Sequence, residues 1–158
     1  MTDEHRQSNM ARRFLQVGIV LFLLGLLTGF AVPAAANPRM ALSSHLEGVM
    51  NGLFLLALGA FWHRVHLGLG AQRVAFWLAT YGTFANWGTT LLAAMWGAGA
   101  KMMPLAAAGY TGTSAQELVI AVGLLSLSFA MLFVCPMVLW GLRSPAKHAA
   151  PSAAIGIS

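Results

Sequence analysis

Four long apolar stretches, residues 14–32, 42–62, 74–97 and 118–142, constrain this chain more than any motif in it. Each supplies the roughly 20 residues that a helix needs to cross a hydrocarbon layer of about 30 Å. With 58% hydrophobic and 8% charged residues, and a mean hydropathy of +0.73, the chain could not dissolve as a compact globule of its size. The fold class that follows is all-α: an integral membrane four-helix bundle, one domain over 14–142. A polar segment, 1–13, precedes it, frayed at its start, and an Ala-, Pro- and Ser-rich tail, 143–158, is expected to be disordered. The apolar run behind Arg12 and Arg13 exceeds a signal-peptide core of about 7 to 15 residues, so it is read as a retained first helix.

Charge gives the orientation. Seven Lys and Arg residues (Arg6, Arg12, Arg13, Arg64, Arg73, Arg143 and Lys147) precede the first span, join the second to the third, or follow the fourth; only Arg39 and Lys101 fall in the other two loops. Basic residues stay on the cytoplasmic side, which places both termini there. The net charge of +5 is scattered over loops and ends, with no basic helix face to follow a phosphate backbone, so no nucleic-acid partner is expected. The single Cys135 allows no internal disulfide and, beside Pro136, reads as a structural thiol next to a kink. Nucleophile elbow, phosphate loop, HExxH and paired cysteines are all missing, which excludes the soluble-enzyme chemistries those motifs carry.

What calls for explanation is polar residues inside the apolar stretches, because an ionisable side chain in hydrocarbon costs about 2.5 to 3.5 kcal/mol even on the lenient insertion scales. The second stretch opens with Ser43, Ser44, His45, Glu47 and Asn51. At about 100° per residue, Gly48, Gly52, Leu56 and Gly59 share the face of His45, while Glu47, Asn51 and Leu58 share another. A histidine above three glycines leaves a side-chain-free groove that suits a planar group such as haem. An imidazole near the membrane surface with glycines that merely pack helices is the other reading, and by itself the commoner one. The third stretch aligns Thr83, Asn86 and Thr90. Threonine hydroxyls bond back to their own helix, whereas an asparagine amide needs a partner elsewhere. Gly18, Gly25 and Gly29 in the first stretch read as a packing face. The loop 98–116 reads as a lid over the outer mouth, ending in a helix start with Ser114 as cap and Glu117 at the third helical position.

The run Asn37-Pro38-Arg39-Met40-Ala41-Leu42-Ser43-Ser44-His45-Leu46-Glu47-Gly48, continuing through Met50-Asn51-Gly52 and joined later by Thr83-Phe84-Ala85-Asn86-Trp87-Gly88, resembles the hydroxylaminobenzene mutases of bacterial nitroarene degradation. More distantly, in His45, Asn51-Gly52 and Ala85-Asn86 followed by Gly88, it is similar to styrene oxide isomerase. The first resemblance implies an isomerase of arylhydroxylamines in a bacterial inner membrane, yielding 2-aminophenols. The second implies a homo-oligomer, a trimer, holding haem b through its iron on His45, with Gly48 and Gly52 beneath the ring and Asn51 orienting the substrate. Asn86 and Thr90 are expected to help orient it, and Glu47 to shuttle the proton. Thr90 stands where the isomerase has tyrosine, and Glu47 has no carboxylate counterpart there, so those two roles are not carried over. Two rival functions are a proton-coupled exporter of aromatic cations using Glu47, and a haem-bearing membrane anchor subunit. The exporter's glutamate belongs in the first helix, which has none, and the anchor calls for two axial histidines where the spans offer only His45.

Overall fold

The computed structural model describes residues 3–143, so the expected disordered tail lies outside the described residues. Secondary structure there is wholly helical: α1 (Asp3–Ala31), α2 (Pro38–Phe61), α3 (Leu69–Trp96), the single turn α4 (Pro104–Ala107) and α5 (Ser114–Arg143). Short 3-10 turns, Val32–Ala34 and Trp62–Arg64, extend α1 and α2. Three helical segments, Gln7–Ala34, Pro38–Arg64 and Ser114–Arg143, are long and apolar enough to cross a membrane. Helix α3 is 28 residues long but carries Gln72, Arg73, Thr80, Thr83, Asn86, Thr89 and Thr90. The molecule is a membrane protein whose surface is apolar: Phe30 is 86% exposed, Leu132 and Trp140 69% each, and Met50 68%.

Local chemistry explains the helix ends. Helix α1 starts at Asp3 instead of fraying up to the apolar run, because no glycine or proline interrupts it before Gly18. Its first turns are also held tertiarily: Met10 and Ala11 pack on the core, and Gln7 Nε2 donates to Val65 O at 3.3 Å. Helix α2 starts four residues before the apolar stretch, where Asn37 accepts from Met40 N at 3.1 Å and Pro38 occupies the first helical position. Helix α3 ends at Gly97, whose φ of 62° is the left-handed geometry that glycine adopts without a Cβ penalty. At the start of α5 the capping box lies one residue earlier than Ser114 and Glu117. Thr113 N donates to Gln116 Oε1 at 2.8 Å, and Gln116 N to Thr113 Oγ1 at 3.3 Å.

That shift frees Glu117 for another task. Its buried carboxylate accepts backbone N–H groups from Gly99 (2.9 Å), Ala100 (3.3 Å), Lys101 (3.3 Å) and Gly112 (3.1 Å), so both arms of the loop between α3 and α5 close on one side chain. Asn37 secures the middle of the loop, with Nδ2 donating to Ala106 O at 3.1 Å and Ala107 O at 3.0 Å while its own N–H donates to Ala94 O at 2.9 Å. The loop is a pinned cap over one end of the helices.

The helices pack in sequence order, α1 on α2, α2 on α3 and α3 on α5, and α1 touches α3 only lightly. Two apolar clusters result. One gathers Phe14, Leu55, Trp62, Phe76 and Val134; the other gathers Met40, Ala41, Ala93, Ala94 and Ile120 beneath the cap. Replacing Asn37 by alanine removes a helix cap and leaves the Ala106 and Ala107 carbonyls without their donor. It is expected to cost on the order of 2 kcal/mol, seen as a lower thermal midpoint of the detergent-solubilised protein by circular dichroism.

Candidate functional site

Between the two apolar clusters lies a polar layer built by α1, α2 and α3. Its centre is Thr90, fully buried, whose Oγ1 lies 2.7 Å from Glu47 Oε2, 2.8 Å from Asn86 O and 3.0 Å from Trp87 O. The back-bonding expected of a helical threonine is present, and the same hydroxyl reaches across to α2 for the carboxyl group. Thr83 only bonds back, to Ala79 O at 2.7 Å and Thr80 O at 3.1 Å. One turn along α2 from Glu47, Asn51 Nδ2 is buried with no hydrogen-bond partner among the described residues. Such an orphaned donor costs about 1–3 kcal/mol unless something outside the chain accepts from it. The half-buried Asn86 side chain forms no hydrogen bond among the described residues. Glu47 and Thr90 therefore come together, with Asn86 joining them through its backbone carbonyl.

His45 faces elsewhere. Its ring is half-buried against α1, with Nδ1 2.8 Å from Gly25 O, and among the described residues Nε2 has no hydrogen bond. At about 100° per residue, two positions separate His45 and Glu47 by roughly 200° around α2, so one chain shows the imidazole to α1 and the carboxyl to α3.

The glycines below His45 do not leave an open groove, because α1 fills it. A Cβ at Gly48 would sit 2.5 Å from Gly25 Cα and 2.8 Å from Trp87 Cδ1; one at Gly52 would sit 2.6 Å from Phe22 N. Gly59 is closed by Leu15 and Ala11 in the same way. These glycines let two helices meet backbone to backbone, and the face that spacing marked as free is the α1–α2 interface. A haem fits His45 alone: a ring whose Nδ1–H is committed to a carbonyl has its Nε2 lone pair available, as metal-ligating histidines do. Among the described residues no three of His, Cys, Asp and Glu cluster to hold a bare metal ion.

Sequence reasoning placed the site on α2 and α3 and missed the polar contribution of α1. The Trp87 indole Nε1 donates to Thr28 Oγ1 at 3.0 Å, and its backbone O accepts from Ser44 Oγ at 3.1 Å. The signal for Thr28 was a hydroxyl placed inside the small-residue step Gly25–Gly29.

An all-helical membrane protein with a half-buried carboxyl group on a buried hydroxyl, and a histidine held by a main-chain carbonyl, is the class that the fold and the site define. The chain belongs to the styrene oxide isomerase family, whose family model matches residues 10–143. It is 62% identical over 148 residues to hydroxylaminobenzene mutase HabB of Ectopseudomonas oleovorans, covering 93% of this chain and 90% of the relative. With hydroxylaminobenzene mutase HabA of the same organism it shares 48% identity over 122 residues, 77% of this chain and 90% of the relative. No solved structure matches the chain. This membership makes the protein an isomerase of the mutase type.

Gly52→Ala drives a methyl group into the Phe22 backbone and is expected to destabilise by about 1–3 kcal/mol. Gly88→Ala enters open space and should show no such loss in the same thermal melt.

Proposed function

We propose that the protein rearranges hydroxylaminobenzene-type arylhydroxylamines to 2-aminophenols, as the names of its two relatives suggest. The observation that carries this reading is the Glu47–Thr90 pair, an acid and a hydroxyl 2.7 Å apart between two apolar clusters, beside the orphaned Asn51 amide. The reaction breaks the N–O bond and forms a C–O bond at the adjacent ring carbon. The hydrogen lost from that carbon balances the one gained at nitrogen, with no net redox change. Proton donation to the departing oxygen lowers the barrier to N–O cleavage, and a positioned acid contributes about 10²–10⁴-fold to such steps.

Glu47 supplies that proton to the departing oxygen and is restored by the proton that the ring carbon releases; the oxygen, once bonded to that carbon, gives up its extra proton to the nitrogen, while Thr90 holds the carboxyl in place and Asn51 Nδ2 donates to the substrate oxygen. The Asn86 side chain, without a hydrogen bond among the described residues, fixes the second polar group. The apolar clusters above and below exclude bulk water and suit an aromatic ring.

The reading includes haem b held by His45 Nε2. When bound, its iron acts as a Lewis acid that draws charge from the substrate oxygen. Because His45 and the Glu47–Thr90 pair lie on different faces of α2, we propose that a second copy completes the site, in the trimer that the family resemblance implies. Gly48 and Gly52 serve this arrangement by holding α1 against α2. We further propose that all four long helices, α3 included, cross the inner membrane with both termini in the cytoplasm. The Arg and Lys distribution and the 28-residue length of α3 support this.

Purified protein tests each part. Hydroxylaminobenzene should be converted to 2-aminophenol, resolved by chromatography. Glu47→Gln should lower kcat by at least about 100-fold, with partial recovery in Glu47→Asp. Undiminished turnover in Glu47→Gln would remove the acid role. A Soret band that shifts on substrate addition and is lost in His45→Ala is expected; colourless protein that still forms product would refute the haem assignment.

A further inference from the structure

In the reading above α1 contributes only close packing, yet three of its residues, within one helical turn or so of each other, meet polar side chains of the layer. Gly25 O is 2.8 Å from His45 Nδ1, Thr28 Oγ1 accepts from Trp87 Nε1 at 3.0 Å, and a Cβ at Gly29 would sit 2.9 Å from His45 Nδ1 and 3.1 Å from its Cε1. We propose that the Gly25–Gly29 turn of α1 is a seat that holds the His45 imidazole in one tautomer, hydrogen on Nδ1 and lone pair bare on Nε2. Gly25, Thr28 and Gly29 are then positioning residues of the site.

The tautomer follows from donor–acceptor arithmetic. A backbone carbonyl only accepts, so the 2.8 Å contact requires a hydrogen on Nδ1. A neutral imidazole has a single N–H, which leaves Nε2 without one. The seat depends on Gly29, because any side chain there occupies the space of the ring and separates Nδ1 from Gly25 O. Nor is α1 free to slide or roll away from the ring. The Gly25 backbone meets Gly48 so closely that a Cβ on either would approach the other's Cα within 3.0 Å. Thr28, 5% exposed, is fastened to α3 by the Trp87 indole and donates to Leu24 O at 2.8 Å. Backbone contact with α2 and a side-chain bond to α3 thus fix the height and rotation of the carbonyl that selects the tautomer. A bare Nε2 is what an axial ligand needs. That Nε2 serves haem rests on the function proposed above; the tautomer does not.

Nitrogen-15 NMR of histidine-labelled, haem-free protein in micelles reads the tautomer directly, with the His45 pair identified as the one missing from His45→Gln. Wild type should give a protonated Nδ1 and an unprotonated Nε2, and Gly29→Ala should give a mixture or the reverse. On adding haemin, Gly29→Ala should bind about 10- to 100-fold more weakly than wild type, the usual effect of losing a group that orients a metal ligand, and with a displaced Soret band. A wild-type His45 with hydrogen on Nε2 or in rapid tautomer exchange overturns the proposal, as does an unchanged pattern in Gly29→Ala. Should Gly29→Ala not fold, the wild-type spectrum still decides. Wild type locked in the Nδ1–H form that takes up no haem would support the seat and refute the haem reading. Haem uptake by a mixed-tautomer ring would do the opposite.

Discussion

The backbone-to-backbone meeting of α1 and α2 at Gly25 and Gly48 is the contact on which the rest depends. Lipid tails are as apolar as leucine side chains, so helices in a membrane associate through close packing and hydrogen bonds more than through expulsion of water. Glycine allows two axes to approach until main-chain atoms touch. Here that distance brings a carbonyl of α1 within reach of an imidazole on α2, and lets the Trp87 indole of α3 lie over Gly48 and reach Thr28. Held farther apart by one methyl group, the three helices would lose these connections together.

A second consequence is the division of labour around α2. Its α1 side is made of glycine and histidine, its α3 side of serine, glutamate and asparagine, and its outward side of Leu46, Met50 and Leu53, each at least half exposed. The polar residues sit in a layer closed by Trp62, Phe14 and Phe76 on one side, and by Met40, Ala93 and Ile120 under the pinned loop on the other. Glu117 and Asn37 commit their polar atoms to the cap, which leaves Glu47 as the described acid inside the layer.

Much of this was legible in the sequence, and the parts that were not share a cause. Apolar run length gave the four long helices, and polar residues within those runs gave the layer, because both signals are local. Helix ends were legible only in part: Asn37-Pro38 is a cap and first-turn pair, but hydropathy does not register it, and α2 therefore begins earlier than its apolar stretch. Thr113 and Ser114 are both good caps, and the choice of Thr113 followed from the loop amides competing for Glu117, a tertiary effect. Spacing correctly put Gly48 and Gly52 on the face of His45, but periodicity shows which residues share a face without showing what covers it. Thr90 likewise had a satisfactory local partner, and its contact with Glu47 depends on how α2 and α3 are juxtaposed.

The two helix pairings differ in how freely they can be rewritten. Where α1 meets α2, the atoms opposite Gly25, Gly48 and Gly52 are mostly main chain, which no substitution can trim away. Where α3 meets α5, Gly82 faces the Met131 thioether and Gly123 faces the Thr89 side chain, both replaceable. Bulk gained on one helix there is absorbed by loss on the other. Divergence among proteins of this architecture therefore has more room along α3 and α5 than along α1 and α2. The His45 side of the molecule, closed by main chain, is the less permissive of the two.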